Sequence, residues 1–447
     1  MLHGAIWNKI PLFALPVAAT AILEQLFNAS DIAIVGNFTG AQRTAAVAAV
    51  GANSPIISLL VNLFVGIALG ANVVIAHAIG QGDKNTVKKA VHTSILVSLL
   101  GGVLVAALGE LAAAPLLRLL QVPDDVFPLA LLYLRIYLLG MPVILLYNFE
   151  AAIFRSVGET KIPLLALAVS GVVNVALNLF FVAVLGMTVN GVAIATVISN
   201  ALSSAILYFR LRTTAREVHV EPHLLRIDLG ILKRILRIGL PAGIQSGVFS
   251  LANIIIQSAI NSLGTVVMAA SSAAFNIEIF TYDIVNAFGQ ACTTFVGQNF
   301  GAGELKRCKK TLLLCLAEGA VVLVASIALI LSFGKPLLSI FNSDPEVIDI
   351  GYIRVMLVVS AHFFSMLYEV MSGYLRGFGI SLGPAILTMI GVCMVRLLWI
   401  QFVFPLSRTF RTIMLVYPVS LSLTALMIFV SLLCTHPSRR FAKKADA

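Results

Sequence analysis

Glu24, Asn28 and Asp31 stand four and three residues apart in one apolar segment, a spacing that puts all three on one face of a helix. Asn174 with Asn178, and Thr196 with Asn200, repeat the four-residue spacing in two later segments. A carboxylate, amide carbonyls and a hydroxyl are the oxygen ligands a hard monovalent cation takes, and the same acid can instead carry a proton. Further polar residues interrupt apolar segments of the second half: Gln245, Asn253, Gln257 and Asn261; Glu278, Asp283, Asn286 and Gln290; and His362, Ser365 and Glu369. Each also has a plainer reading. Asparagine and threonine between apolar helices often only bridge them, at about 0.6 kcal/mol per bond. Glu24 can snorkel, Glu278 and Asp283 can pair with polar groups on facing helices, and His362 can be a satisfied bundle histidine.

These residues need elements to hold them, and the composition says which. The chain has 447 residues, of which 59% are apolar and 11% charged, with a mean hydropathy of +1.00. A water-soluble domain is nearer a quarter charged, because its surface must be solvated. The solvent of this chain is therefore lipid, and a spanning helix takes about 20 apolar residues. Twelve such stretches are read near 11–35, 47–77, 90–113, 128–150, 162–184, 188–209, 236–262, 267–297, 311–333, 348–373, 384–405 and 412–434, parted by short turns rich in Gly, Pro, Asn and Asp. The first begins near Ile10 with no small-residue cleavage site behind it, so it reads as a span and not a leader. Ionisable groups inside spans are costly and mark function by default. Asp31 is accordingly the foremost candidate.

The charge has a topological explanation. With the N-terminus in the cytoplasm, 22 of the 30 Lys and Arg fall in inside segments, five outside and three within spans. This positive-inside bias places both termini in the cytoplasm. The net charge of +10 then needs anionic lipid as partner and no nucleic acid. Five scattered cysteines without a CxxC pair indicate neither a disulfide framework nor a zinc site.

The two halves resemble each other. Leu15-Pro16 recurs as Leu240-Pro241, and Gly80-Gln81-Gly82-Asp83 as Gly297-Gln298 with Gly301-Ala302-Gly303-Glu304. Tyr133-Leu134-Arg135 recurs as Tyr352-Ile353-Arg354, and Phe154-Arg155 with Gly158 as Leu375-Arg376 with Gly379. An even number of spans per copy relates the halves by an axis along the membrane normal, a transporter architecture. The fold expected is all-α: two six-helix bundles, 1–209 and 236–434, joined by a cytoplasmic linker with an interfacial helix at 210–235 and followed by a basic tail at 435–447. Arg135 and Arg354 are expected to snorkel or tie down the outer surface. Gly66 with Gly70, and Gly243 with Gly247, permit close helix contact.

Leu26-Phe-Asn-Ala-Ser-Asp31-Ile-Ala-Ile-Val-Gly36, Val296-Gly-Gln-Asn-Phe-Gly-Ala-Gly303 and the two Leu/Phe-Arg-x-x-Gly elements are similar to those of multidrug and toxic compound extrusion (MATE) transporters. The resemblance covers essentially the whole chain. It implies export of lipophilic, often cationic compounds in exchange for Na⁺ or H⁺, by a monomer in the cell membrane, without a cofactor. It also implies that Asp31, Asn174, Asn178 and Thr196 form the cation site, Na⁺ being the metal they would hold, and that Pro16 is a hinge in the first span. Asn178 stands where some relatives carry a second acid. For substrate, Glu278, Asp283, Glu369, Gln245 and Gln257 are the cavity candidates.

Other functions fit less well. No GxxxxGK[ST] occurs, so an ATP-driven pump is not indicated, and neither HExxH nor GxSxG marks an enzyme. The alternative of the same architecture is a lipid-linked oligosaccharide flippase, which should line its cavity with several Arg or Lys to hold a pyrophosphate. Here three arginines, Arg135, Arg354 and Arg396, lie in spans against acids that include Glu24, Asp31, Glu278, Asp283, Glu318 and Glu369, which favours cations.

Overall fold

The structure, a computed structural model, describes residues 1–438; Arg439, Arg440, Lys443 and Lys444 of the expected basic tail lie outside the described residues. Among those described there is no strand. In lipid every backbone N–H and C=O must find its partner within the segment, which only a helix or a closed barrel provides.

The first half forms α1 (Lys9–Phe38), α2 (Arg43–Gln81), α3 (Lys84–Leu119), α4 (Phe127–Leu139), α5 (Met141–Ser156), α6 (Lys161–Asn178) and α7 (Val189–Thr213). The second forms α8 (Leu229–Asn261), α9 (Thr265–Gly301), α10 (Leu305–Ser332), α11 (Gly334–Ser339), α12 (Pro345–Arg354) and α13 (Ser360–Gly377), followed by spans over Leu382–Leu406 and Phe410–Thr435. Among the described residues ten helices are long and apolar enough to cross a membrane, and α4 with α5, bent by 51°, makes an eleventh. The bend falls where Gly140 precedes Met141-Pro142, because proline in the first turn of α5 offers no N–H to continue the ladder of α4. The twelfth is α9, 37 residues long and made less apolar by Glu278, Asp283, Asn286 and Gln290 at its middle.

The repeat is visible in the backbone. Gly82 and Gly303, which end α2 and α9, have φ of +69° and +76°; Gly158 and Gly379, after α5 and α13, have +87° and +80°. All four lie in the left-handed region that a residue with a Cβ rarely adopts, so both copies turn in the same way at the same points.

By packing, the chain divides into two compact units, one of Ala19–Ile79 with Asp83–Gly243 and one of Met1–Ala18, Gly80–Gly82 and Ile244–Ala447. The divisions within α1 and α8 fall just after Pro16 and Pro241. Residues 210–235 pack with the first unit and are well fastened. Val218 and Val220 are buried, Lys88 on α3 pairs with Glu221 at 2.6 Å, Lys89 pairs with Asp228 at 3.4 Å, and the Glu221 N–H donates to His92 Nε2 at 3.1 Å. The interfacial helix expected before span seven is the first turns of α8, continuous with the span. It packs on α2 through glycines: a Cβ on Gly66 would lie 2.2 Å from Gly243 N, and one on Gly70 would lie 2.3 Å from Ile235 O.

Candidate ion site and the buried charges

Asp31 is buried on α1, and side chains from α6 and α7 converge on it. Asn178 Nδ2 donates to Asp31 Oδ1 at 2.5 Å and also to Asn174 Oδ1 at 3.1 Å. Thr196 Oγ1 lies 3.2 Å from Asp31 Oδ2 and 2.9 Å from Val192 O, so its one hydrogen serves either acceptor. Asn174 Nδ2 reaches Ser199 Oγ at 3.3 Å. The helical period explains the convergence: Asn174 and Asn178 are one turn apart, and α7 runs beside α6. Directly after Asn178 the helix widens into a π turn over Leu179–Val184, a local feature that often accompanies functional sites.

Two properties of this cluster matter chemically. Among the described residues no Lys, Arg or His nitrogen lies within 4.0 Å of the Asp31 carboxylate. In addition, the carbonyl oxygen Asn178 Oδ1 is buried without a hydrogen-bond partner. A buried acceptor left open is costly in a folded chain, and here it stands beside an uncompensated acid. The carboxylate, Asn178 Oδ1, Asn174 Oδ1 and the Thr196 hydroxyl together offer oxygens that can replace part of a Na⁺ hydration shell. Of the expected stripe on α1 only Asp31 is buried, Glu24 and Asn28 being exposed. Asn200 turns back to Thr196 O at 2.9 Å.

The five cavity candidates of the second unit form no comparable cluster. Glu278 accepts from Arg354 Nε at 2.7 Å and Nη2 at 3.1 Å, while Arg354 Nη1 donates to Ser271 Oγ at 2.6 Å. Of the two expectations for Arg354, snorkelling is corrected, since it is buried in an ion pair; its counterpart Arg135 is half-exposed beside Glu110. Burying a guanidinium is tolerable only with its opposite charge at hydrogen-bond distance, and Glu278 supplies it. Glu369 likewise accepts from Arg376 Nη2 at 2.8 Å. Both acids expected to attract a cation are thus already neutralised. Asp283 is buried with Oδ2 unpartnered, Gln245 is half-buried, and Gln257 is exposed and bonded to Asn261 at 2.8 Å. His362 Nδ1 meets Thr281 Oγ1 at 2.6 Å, the satisfied bundle histidine of the plainer reading.

The sequence places Arg396 inside a span but leaves its partners open, and it gives no role to Ser170, Ser203, Ser204 or Glu150. Arg396 is buried on the ring of Tyr417, 4.3 Å from its centroid, bonded to Asn253 Oδ1 at 3.2 Å; among the described residues no carboxylate lies within 4.0 Å of it. In the first unit Ser170 and Ser203 bond to each other across α6 and α7, and Ser204 bonds to Glu150. The signal for the first of these was present, since Ser170, Asn174 and Asn178 share one face at four-residue spacing.

Comparisons with known proteins bear on the whole chain. The MatE family profile matches residues 16–180 and again 241–400, once per half. "Probable multidrug resistance protein YoeA" of Bacillus subtilis is 27% identical over 397 residues, 87% of this chain and 85% of that protein. A protein of Shewanella oneidensis named "FAD transporter" is 26% identical over 68% of this chain and 69% of its own length. Among solved structures, one described as the outward-facing conformation of a multidrug resistance MATE family transporter superposes with a TM-score of 0.90 at 22% identity, covering 100% of this chain and 98% of that one.

Proposed function

Because the chain belongs to the MatE family of multi-pass membrane efflux transporters, we propose that it is a secondary antiporter that exports lipophilic small molecules in exchange for a monovalent cation held at Asp31. The observation that carries this reading is the buried Asp31 carboxylate, with no cationic side chain within 4.0 Å among the described residues, bonded to Asn178 Nδ2 and the Thr196 hydroxyl while Asn178 Oδ1 is left without a hydrogen-bond partner. A single acid matches a single charge, so Na⁺ binds there and H⁺ competes for the same carboxylate. The ligands come from one unit, and a monomer in the cell membrane, with both termini cytoplasmic by the distribution of Lys and Arg, is sufficient. Pro16 and Pro241 sit where the helices pass between units, which suits them as hinges for alternating access.

Organic cations are the first substrate class, from the family resemblance. A second reading, for anionic or zwitterionic substrates, is favoured by the neutralised Glu278 and Glu369 and by Arg396, a buried guanidinium without a carboxylate partner among the described residues. The relative named as an FAD transporter is consistent with it. Uptake by inside-out vesicles decides between them, with ethidium and FAD as probes and a Na⁺ or a pH gradient imposed separately. Ethidium movement driven by either gradient supports the first reading. Movement of FAD alone supports the second, and movement of neither, in vesicles that hold the protein, overturns the antiporter assignment.

A further inference from the structure

The ion site leaves unused a second buried acid of the same unit. Glu150, on α5, is fully buried. Its Oε2 accepts from Ser204 Oγ at 2.8 Å and its Oε1 has no hydrogen-bond partner. Among the described residues no Lys, Arg or His nitrogen lies within 4.0 Å of it. The charged groups of neighbouring helices are paired with other residues or lie at helix ends, and on α2, which bonds to α5 through Asn72 Nδ2 and Ala152 O, the titratable group after its first residue is His77. On α3, Lys88 and Lys89 pair with Glu221 and Asp228, His92 bonds to Lys88 O and to the backbone of Glu221, and Glu110 pairs with Arg135 of α4. Lys161 opens α6, while Arg210 and Arg212 close α7. On α5 itself the titratable groups are Tyr147, one turn before Glu150, and Arg155 in the last turn.

The position of Glu150 relative to Asp31 gives it meaning. Both acids take a hydroxyl from α7: Thr196 serves Asp31 Oδ2 and Ser204 serves Glu150 Oε2. Eight residues separate the two hydroxyls, about 12 Å along a helix. Between them the seam of α6 and α7 stays polar, through Asn174 with Ser199 and Ser170 with Ser203. A serine hydroxyl is both donor and acceptor, so Ser204 can donate to a carboxylate or accept from a carboxylic acid without moving. Structural glue would need neither an ionisable group nor an open oxygen, whereas ionisable side chains at membrane depth mark ion and proton pathways.

We propose that Glu150 is a second proton-binding carboxyl of the first unit, linked to the ion at Asp31 through α7, which touches both acids. The proton comes from water and returns to water; on uptake an O–H bond forms at the carboxylate, and on release it breaks. A rigid shift of α7 that changes the Thr196 contact with Asp31 also changes the Ser204 contact with Glu150.

The inference rests on the reading of the protein as an ion-driven exporter, but its first test does not require transport. Infrared difference spectra of the full-length protein in lipid, wild type against Glu150→Gln, isolate the carboxyl C=O band of Glu150; Ser204→Ala assigns it independently by a frequency shift, should the first variant fail to fold. The band is expected at low pH and lost as pH rises. In proteoliposomes, Glu150→Gln should lose ethidium efflux driven by a pH gradient and keep that driven by Na⁺. A band that persists at every pH, or pH-driven efflux unchanged in Glu150→Gln, overturns the proposal. Wild-type protein that moves neither ethidium nor FAD under either gradient refutes the exporter reading instead, while the pH response of the band still decides Glu150.

Discussion

Glu278 holds Arg354 by two parallel hydrogen bonds, 2.7 and 3.1 Å long, with both side chains less than a tenth exposed. The guanidinium also stacks over Phe275, 5.3 Å from the ring centroid. From the sequence Glu278 reads either as an acid that draws cations or as one paired with polar groups on a facing helix; in the fold its charge is spent on Arg354, and the pair ties α9 to α12.

Removing one partner of such a pair strands the other charge. Glu278→Gln should therefore destabilise the protein by about 3–5 kcal/mol, seen as a lowered Tm in detergent, and should weaken binding of cationic and neutral dyes alike. Adding Arg354→Met should recover most of the Tm. Selective loss of cationic dyes at unchanged Tm would return Glu278 to the substrate site.

Asp31→Asn keeps the shape of the carboxylate and removes its charge. The variant should insert and elute as wild type while Na⁺ binding by calorimetry, and efflux under either gradient, disappear. Thr196→Val removes one neutral oxygen of a bond worth about 0.6 kcal/mol, so its Na⁺ affinity should fall only about threefold. Equal losses in the two variants would mean that the hydroxyl is a principal ligand, contrary to the geometry.

Proline at 16 and 241 interrupts the ladders of the two helices that pass between the units. Alanine at either position should slow ethidium efflux several-fold without changing Na⁺ affinity, since no ligand is touched. Unchanged efflux in both variants would make these prolines static kinks.

The linker provides a pH test outside the membrane. Glu221 is held below the usual carboxylate range chiefly by its hydrogen bond from Lys88, and Asp228 chiefly by the backbone N–H of Ile231. An acid with a depressed folded pKa stabilises the fold above its unfolded value and ceases to do so as pH falls through the folded one. Limited proteolysis of residues 210–228 should thus be unchanged from pH 7 to about 5 and should rise only below about pH 4. In Glu221→Gln, cleavage should already be faster at pH 7.

What was legible in the sequence was set by the bilayer. Run lengths of apolar residues mark the spans, the four-residue spacing of Asn174 and Asn178 gives a common face, and the recurrence of Leu-Pro and Arg-x-x-Gly marks the repeat. Each depends only on local geometry and on the cost of exposing a polar group to lipid. The grouping of Asp31, Asn178 and Thr196 was an implication of the resemblance to MATE transporters; spacing within single helices left their partners open.

The tertiary structure decided which buried charges are compensated. Glu278 and Arg354 are 76 residues apart, and Ser204 meets Glu150 across 54. Whether two such groups meet depends on the rotation and axial register of one helix against another, and a hydrophobic period leaves both variables free. A turn of α12 or a shift of α7 by one residue would leave the spans, the charge bias and the repeat as they are, yet would strand Arg354 or empty the hydroxyl positions beside Asp31 and Glu150. Lipid as solvent determines that the helices form; contacts between helices determine where a charge can rest and where it must be supplied by an ion.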